Sequence, residues 1–143
     1  MKTDPNKPVP YLLDDQIGFV LRRATQRHLA IFSSRIGDLT PTQFAVLAKL
    51  CDTGPLSQNA LGRLTAMDAA TVKGVVDRLV KRGLVTTGRD KVDRRRTIVD
   101  LSPEGKAAYR DLAARAHDIT AETLAPLSQA EASLLLQLLD RIT

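Results

Sequence analysis

Apolar residues recur along most of the chain at three- and four-residue intervals, the spacing of one helix face, interrupted once by a pair of short β-branched runs. From about Tyr11 to Arg35, one stripe passes through Leu13, Ile17, Val20, Leu21, Ala24, His28, Ile31 and Phe32. Leu12, Phe19 and Leu29 fall partly off that stripe. A helix with more apolar surface than one core contact requires predicts a second chain to cover it. Gly37-Asp38 breaks the pattern, and Thr40 as N-cap, Pro41 at N1 and Gln43 as capping-box partner open a helix through Leu50. Phe44, Leu47 and Cys51 share one side of it, and Gly54-Pro55 ends it.

A short helix from Gln58 to Leu64 follows, capped at Ser57, with Ala60, Leu61 and Leu64 facing inward. A second begins at Asp68 and stops at Gly83, and its Val72, Val75, Val76, Leu79 and Val80 form a buried stripe. Its other faces carry Thr71, Lys73, Gly74, Arg78, Lys81 and Arg82. Leu84 to Thr87 and Thr97 to Leu101 then read as two antiparallel strands around a loop too polar to be core. Ser102-Pro103-Glu104 starts a helix to roughly Thr123, and Pro126 interrupts it. Ser128 and Glu131 form a capping box for a last helix whose Leu134, Leu135, Leu136, Leu138 and Leu139 leave little polar surface. The first helix and the last two are expected to form a homodimerisation layer.

Two short helices, the second basic and cleanly capped, predict a helix-turn-helix whose second member enters a DNA major groove. The hairpin behind it, with Lys91, Asp93, Arg94, Arg95 and Arg96 in its loop, predicts a wing that reaches phosphates or the minor groove. Composition agrees. A formal net charge of +5 favours a polyanionic partner, and 3% aromatic residues with no Trp argue against a base-stacking single-strand binder. One cysteine excludes an internal disulfide, no apolar run approaches membrane-spanning length, and the N-terminus lacks a signal-peptide core, so a cytoplasmic protein is expected. The predicted fold class is mainly α with a small β-hairpin wing: a winged helix-turn-helix plus a helical dimerisation layer.

The run Leu79-Val80-Lys81-Arg82-Gly83-Leu84-Val85, followed by Asp93-Arg94-Arg95-Arg96 and Leu101-Ser102-Pro103-Glu104-Gly105, resembles the MarR family of transcriptional regulators. It is similar to that family's recognition-helix exit, its D-x-R wing element and the start of its following helix. The resemblance covers all but about the first ten residues. It implies a flexible arm over 1–10 and a single domain over 11–143, with dimerisation helices 11–36 and 103–143 and a reading head 40–101. By the family motif, Arg95 enters the minor groove and Asp93 orients it. From the residues themselves, Thr71, Lys73 and Gly74 are candidates for base edges, and Gln58, Arg63 and Arg78 for phosphates. Lys91, Arg94 and Arg96 give electrostatic support, and Asp77 is a candidate partner for a wing arginine. The expected partner is double-stranded DNA with a pseudo-palindromic operator, read by a homodimer.

For regulation, His28 with Arg22 and Arg23 suits a small aromatic carboxylate: Arg grips the carboxylate and His meets a ring hydroxyl or nitrogen. Phe19 and Phe44 line such a site or simply fill core. A satisfied structural histidine is the competing reading of His28. Cys51 reads as a buried hydrophobic cysteine, and the two distant histidines make no metal site. No catalytic constellation and no cofactor motif is present, so an enzyme is not expected. The expected function is repression of a catabolic or efflux operon, released by an aromatic or phenolic acid. The alternative is a winged-helix protein-interaction module without sequence-specific DNA binding, which has no need for so basic a front.

Overall fold

The computed structural model describes residues 5–143. The expected arm over 1–10 falls partly on residues 1–4, outside the described residues, and 5–10 are exposed. Six helices follow in order: α1 (Ile17–Arg35), α2 (Pro41–Thr53), α3 (Gln58–Leu64), α4 (Ala69–Lys81), α5 (Pro103–Leu124) and α6 (Gln129–Asp140). A small antiparallel sheet, β1 (Leu56–Ser57), β2 (Val85–Arg89) and β3 (Thr97–Leu101), has β3 in the middle. Val85 pairs with Leu101 and Arg89 with Thr97, while Leu56 pairs with Val99. This is the mainly helical winged helix-turn-helix that the hydrophobic pattern predicts.

The caps are those expected. Thr40 and Gln43 close a reciprocal capping box, as do Ser128 and Glu131, and Ser57, Asp68 and Ser102 each accept a backbone N–H in the first turn of their helix. At the end of α4 the Gly83 amide donates to the Val80 carbonyl and the Leu84 amide to Leu79, with Gly83 at φ +72°. That is a Schellman ending, and its left-handed position is why glycine stands there.

The core lies where α4 meets the rest of the head: Val72, Val75, Val76 and Leu79 pack with Leu47, Leu50, Leu61, Val85 and Val99. Ile31, Phe32, Ile36 and Ile119 extend it to α1 and α5. Several expectations need correction. Val80 is 40% exposed and not part of the buried stripe. It lies eight residues past Val72, about 80° round the helix, so it drifts off the buried side. Cys51 is exposed for the same reason, eight residues beyond the buried Gln43. Leu64 is exposed too, at the rim of a groove it shares with Ala45 and Ala48.

The first helix does not begin at Tyr11. Leu13–Asp15 form a 3-10 turn, Gln16 is extended, and α1 starts at Ile17. The first strand lies at Val85–Arg89 and not at Leu84–Thr87, since Leu84 is spent on the helix ending. Strand β1 was not expected, and Leu56-Ser57 is too short to show periodicity. The turn between α3 and α4 carries Ala66 at φ +56°, a left-handed position that no glycine or asparagine marks.

Outside the core, α1 and α6 are left with apolar surface. Ile17, Val20, Leu21 and Leu29 are exposed on α1, and Leu134, Leu135, Leu136 and Leu138 on α6. The core assignment is tested by Leu79→Ala, which should cost about 2–5 kcal/mol in urea unfolding, against under about 0.5 kcal/mol beyond lost helix packing for Val80→Ala. Equal losses at the two positions would contradict it.

Candidate nucleic-acid interface and effector cavity

The solvent face of α4 presents Thr71, Lys73 and Arg78 as exposed side chains, with Gly74 half-buried between them. A methyl group at Gly74 would meet only the Arg78 guanidinium, at 3.8 Å. Lys73 donates to Asp77 at 2.8 Å, one turn along the helix. Asp77 is therefore the partner of Lys73 and not of a wing arginine, because four residues of helix bring those two side chains together. Asp68 caps the helix through the Thr71 amide at 2.7 Å. The Thr71 backbone and then its side chain hold the Asp68 carboxyl below its ordinary value.

The wing is a closed loop. Asp90 N–H donates to the Arg96 carbonyl, and Arg96 N–H to the Asp93 carbonyl, both at 3.0 Å. The Asp93 carboxylate accepts the Arg95 backbone N–H and the Arg95 Nε, each at 3.1 Å. These bonds, the side chain first, hold the Asp93 carboxyl below its ordinary value, and the Arg96 charge adds to them. Arg95 is thus oriented before it meets anything, while its side chain remains 92% exposed. Arg89 donates to the Arg94 carbonyl and braces the other strand of the wing. Lys91, Arg94 and Arg96 are exposed. Gln58 at the start of α3 shares a cleft of about 220 Å³ with Asn59, Arg95, Arg96 and Thr97. The structure therefore brings Gln58 beside the wing, whereas Arg63 is exposed further along α3 and lines no part of that cleft.

The predicted effector residues separate. His28 is half-buried, its Nδ1 lies 2.9 Å from the Thr123 hydroxyl, and it lines an almost wholly apolar cavity of about 330 Å³ between α1, α5 and α6. Leu21, Ala24, Thr120, Leu135 and Leu139 share that cavity. Arg22 and Arg23 are exposed and do not line it; the Arg23 guanidinium lies 5.9 Å from the centre of the Phe19 ring. Phe44 belongs to the core edge, stacked 5.8 Å from Tyr109 and edge-on to Phe32. Arg27 is occupied by the last turn of α5, donating to the Thr123 carbonyl at 2.7 Å and that of Glu122 at 2.9 Å. Sequence reasoning missed Thr123. A threonine 95 positions from His28 gives no local signal, and only the packing of α1 on α5 unites them.

No group of three or more His, Cys, Asp or Glu side chains among the described residues is arranged to hold a metal ion. No helix among them is long and apolar enough to cross a membrane.

A family model described as the MarR family matches residues 37–96. The HTH-type transcriptional repressor NicR of Pseudomonas putida is 39% identical, over 99% of this chain and 93% of its own length. Among solved structures, a probable transcriptional regulator from Pseudomonas aeruginosa is 56% identical over 92% of this chain and all of its own, with a TM-score of 0.87. BpsR of Bordetella bronchiseptica, whose DNA binding is regulated by 6-hydroxynicotinic acid, is 40% identical, covering 94% of this chain and 97% of its own, with a TM-score of 0.90. With the fold, the Asp93–Arg95 wing and these relatives in agreement, the chain belongs to the MarR family of winged helix-turn-helix transcriptional regulators.

Proposed function

We propose that this protein is a homodimeric repressor that reads a pseudo-palindromic DNA site and is released by a small aromatic or heteroaromatic carboxylate bearing a ring hydroxyl. The observation that carries the DNA reading is the wing: an exposed arginine held in a fixed direction by Asp93, lining one cleft with Gln58 at the start of α3. A braced guanidinium loses little rotamer freedom on entering a narrow groove whose negative potential attracts it. Thr71, Lys73 and Gly74 are the proposed base-edge residues. Arg63, Arg78, Lys91, Arg94 and Arg96 give phosphate contacts and charge.

Residues 40–101 act as the reading head, and α1, α5 and α6 as the dimerisation layer. Four half-exposed leucines on α6, each adding roughly 1 kcal/mol on complete burial, contribute to the association. The effector reading is supported by the relatives: one is a repressor by name, and another answers to a ring that carries both a hydroxyl and a carboxylate. The His28–Thr123 pair offers donors and acceptors to a ring hydroxyl or nitrogen inside otherwise apolar walls. The proposed carboxylate partner is Arg22 or Arg23, both exposed on α1, the helix that carries His28 into the cavity. The operon it controls is a catabolic or efflux one.

The first test is a gel-shift titration against the region upstream of its own gene at two salt concentrations, with and without 6-hydroxynicotinic acid and other aromatic acids. Salt-sensitive, sequence-specific binding as a dimer, released by one acid, is the expected result. Indifference to DNA sequence would favour a protein-interaction module. In the same assay, Arg95→Ala should weaken binding about tenfold or more with the dimer intact. Asp93→Asn should lose part of that affinity. Because the Asp93 carboxyl is held below its ordinary value, the brace is complete at neutral pH and lost only as the pH falls through that lowered value. His28→Ala should raise the acid concentration needed for release about tenfold while leaving DNA affinity in its absence unchanged.

A further inference from the structure

The exit of α4 and the start of α5 are tied by backbone atoms. The Schellman ending turns the Gly83 and Leu84 amides back into α4, which leaves their carbonyls facing outward. Ser102 takes both: its hydroxyl donates to the Gly83 carbonyl at 2.6 Å, and its amide to the Leu84 carbonyl at 3.1 Å. The same Ser102 oxygen accepts the Gly105 amide at 3.0 Å and so caps α5. Gly105 then seats the first turn of α5 against the Leu84 peptide. A Cβ there would lie 1.9 Å from the Leu84 oxygen and 2.9 Å from its carbonyl carbon, well inside contact distance and with no flexible side chain to yield. A third tie comes from Arg82, whose guanidinium donates to the Asp38 carbonyl in the α1–α2 turn. The Val85–Leu101 pair closes the same knot from the hairpin side.

We infer that Ser102 and Gly105 are positioning residues that fix the inclination of α4 on α5, and with it the spacing of the two reading heads in the dimer. The inference rests on the DNA-reading function proposed above. Helix α5 is one uninterrupted rod of 22 residues, about 33 Å long. Thr120 and Thr123 near its far end line the His28 cavity, and Ser102 and Gly105 hold its near end to the recognition helix. A ligand that tilts α5 against α1 thereby turns α4, because the contacts between the end of α4 and the start of α5 are backbone, one hydroxyl and a glycine and have little to deform. Interior packing of that kind passes strain on and does not absorb it.

The test uses the full-length dimer with Cys51→Ser, spin-labelled through Lys81→Cys on the solvent side of α4. Each dimer then carries two labels whose separation reports the head spacing without DNA. The reference protein should give one narrow distance distribution. Gly105→Ala should displace it and Ser102→Ala should broaden it, whereas Ser102→Thr, which keeps the hydroxyl, should restore it. The Ser102 pair decides the matter where Gly105→Ala fails to fold. Distributions that superimpose for Ser102→Ala and the reference protein would overturn the inference, as would broadening that threonine does not repair. In parallel, a duplex selected by the reference protein from a randomised pool should bind Ser102→Ala about tenfold more weakly, with affinity for an unrelated duplex within about twofold. A reference protein that selects no duplex while the label distances respond as expected would overturn the DNA reading and leave the joint standing.

Discussion

The burial of one side of α4 is the constraint on which the rest depends. Val72, Val75, Val76 and Leu79 must reach the interior formed by Leu47, Leu61 and Val99, and that fixes which residues remain outside. Thr71, Lys73 and Arg78 are exposed as a direct result, since a helix that buries one stripe presents the opposite one. The short β3 strand serves the same core through Val99 and Leu101 while carrying the wing at its other end. The exposed face of α4 and the wing therefore share one packed support.

A second constraint is left unmet within the single chain. Helices α1 and α6 expose aliphatic side chains well beyond what the core uses, and the His28 cavity lies among them. The ion pairs of Arg35 with Glu122 and Asp118, and the bonds from Arg27 to the end of α5, already fix α1 against α5. The unsatisfied surface is thus a stable, preformed face and not a consequence of loose helices. The cavity touches all three of these helices, α1, α5 and α6, and α5 continues from it to the joint with the end of α4.

Much of this was legible in the residues. Caps at Thr40, Ser57, Asp68, Ser102 and Ser128 are local signals, because a hydroxyl or carboxylate one position before a helix has one dominant use. The basic loop Lys91 to Arg96 could be placed as a wing because two β-branched runs flank it. What failed were positions at stripe edges, Val80, Cys51 and Leu64, where helical drift decides burial and no residue type announces it. The Asp77 pairing failed similarly: a neighbour four residues away competes better for a carboxylate than a distant loop does.

The sequence by itself determined the order of elements, their caps, the basic front and the excess of apolar surface, all of which rest on interactions within a few residues. Only the tertiary structure decided which polar groups meet across long separations. Among these are His28 with Thr123, Gln58 with the wing, and Ser102 with the Gly83 and Leu84 carbonyls. Periodicity reports which side of an element is buried. The rotation and close approach that bring one element onto another depend on the packing of the whole core, and Gly105 against the Leu84 peptide is where that dependence is tightest.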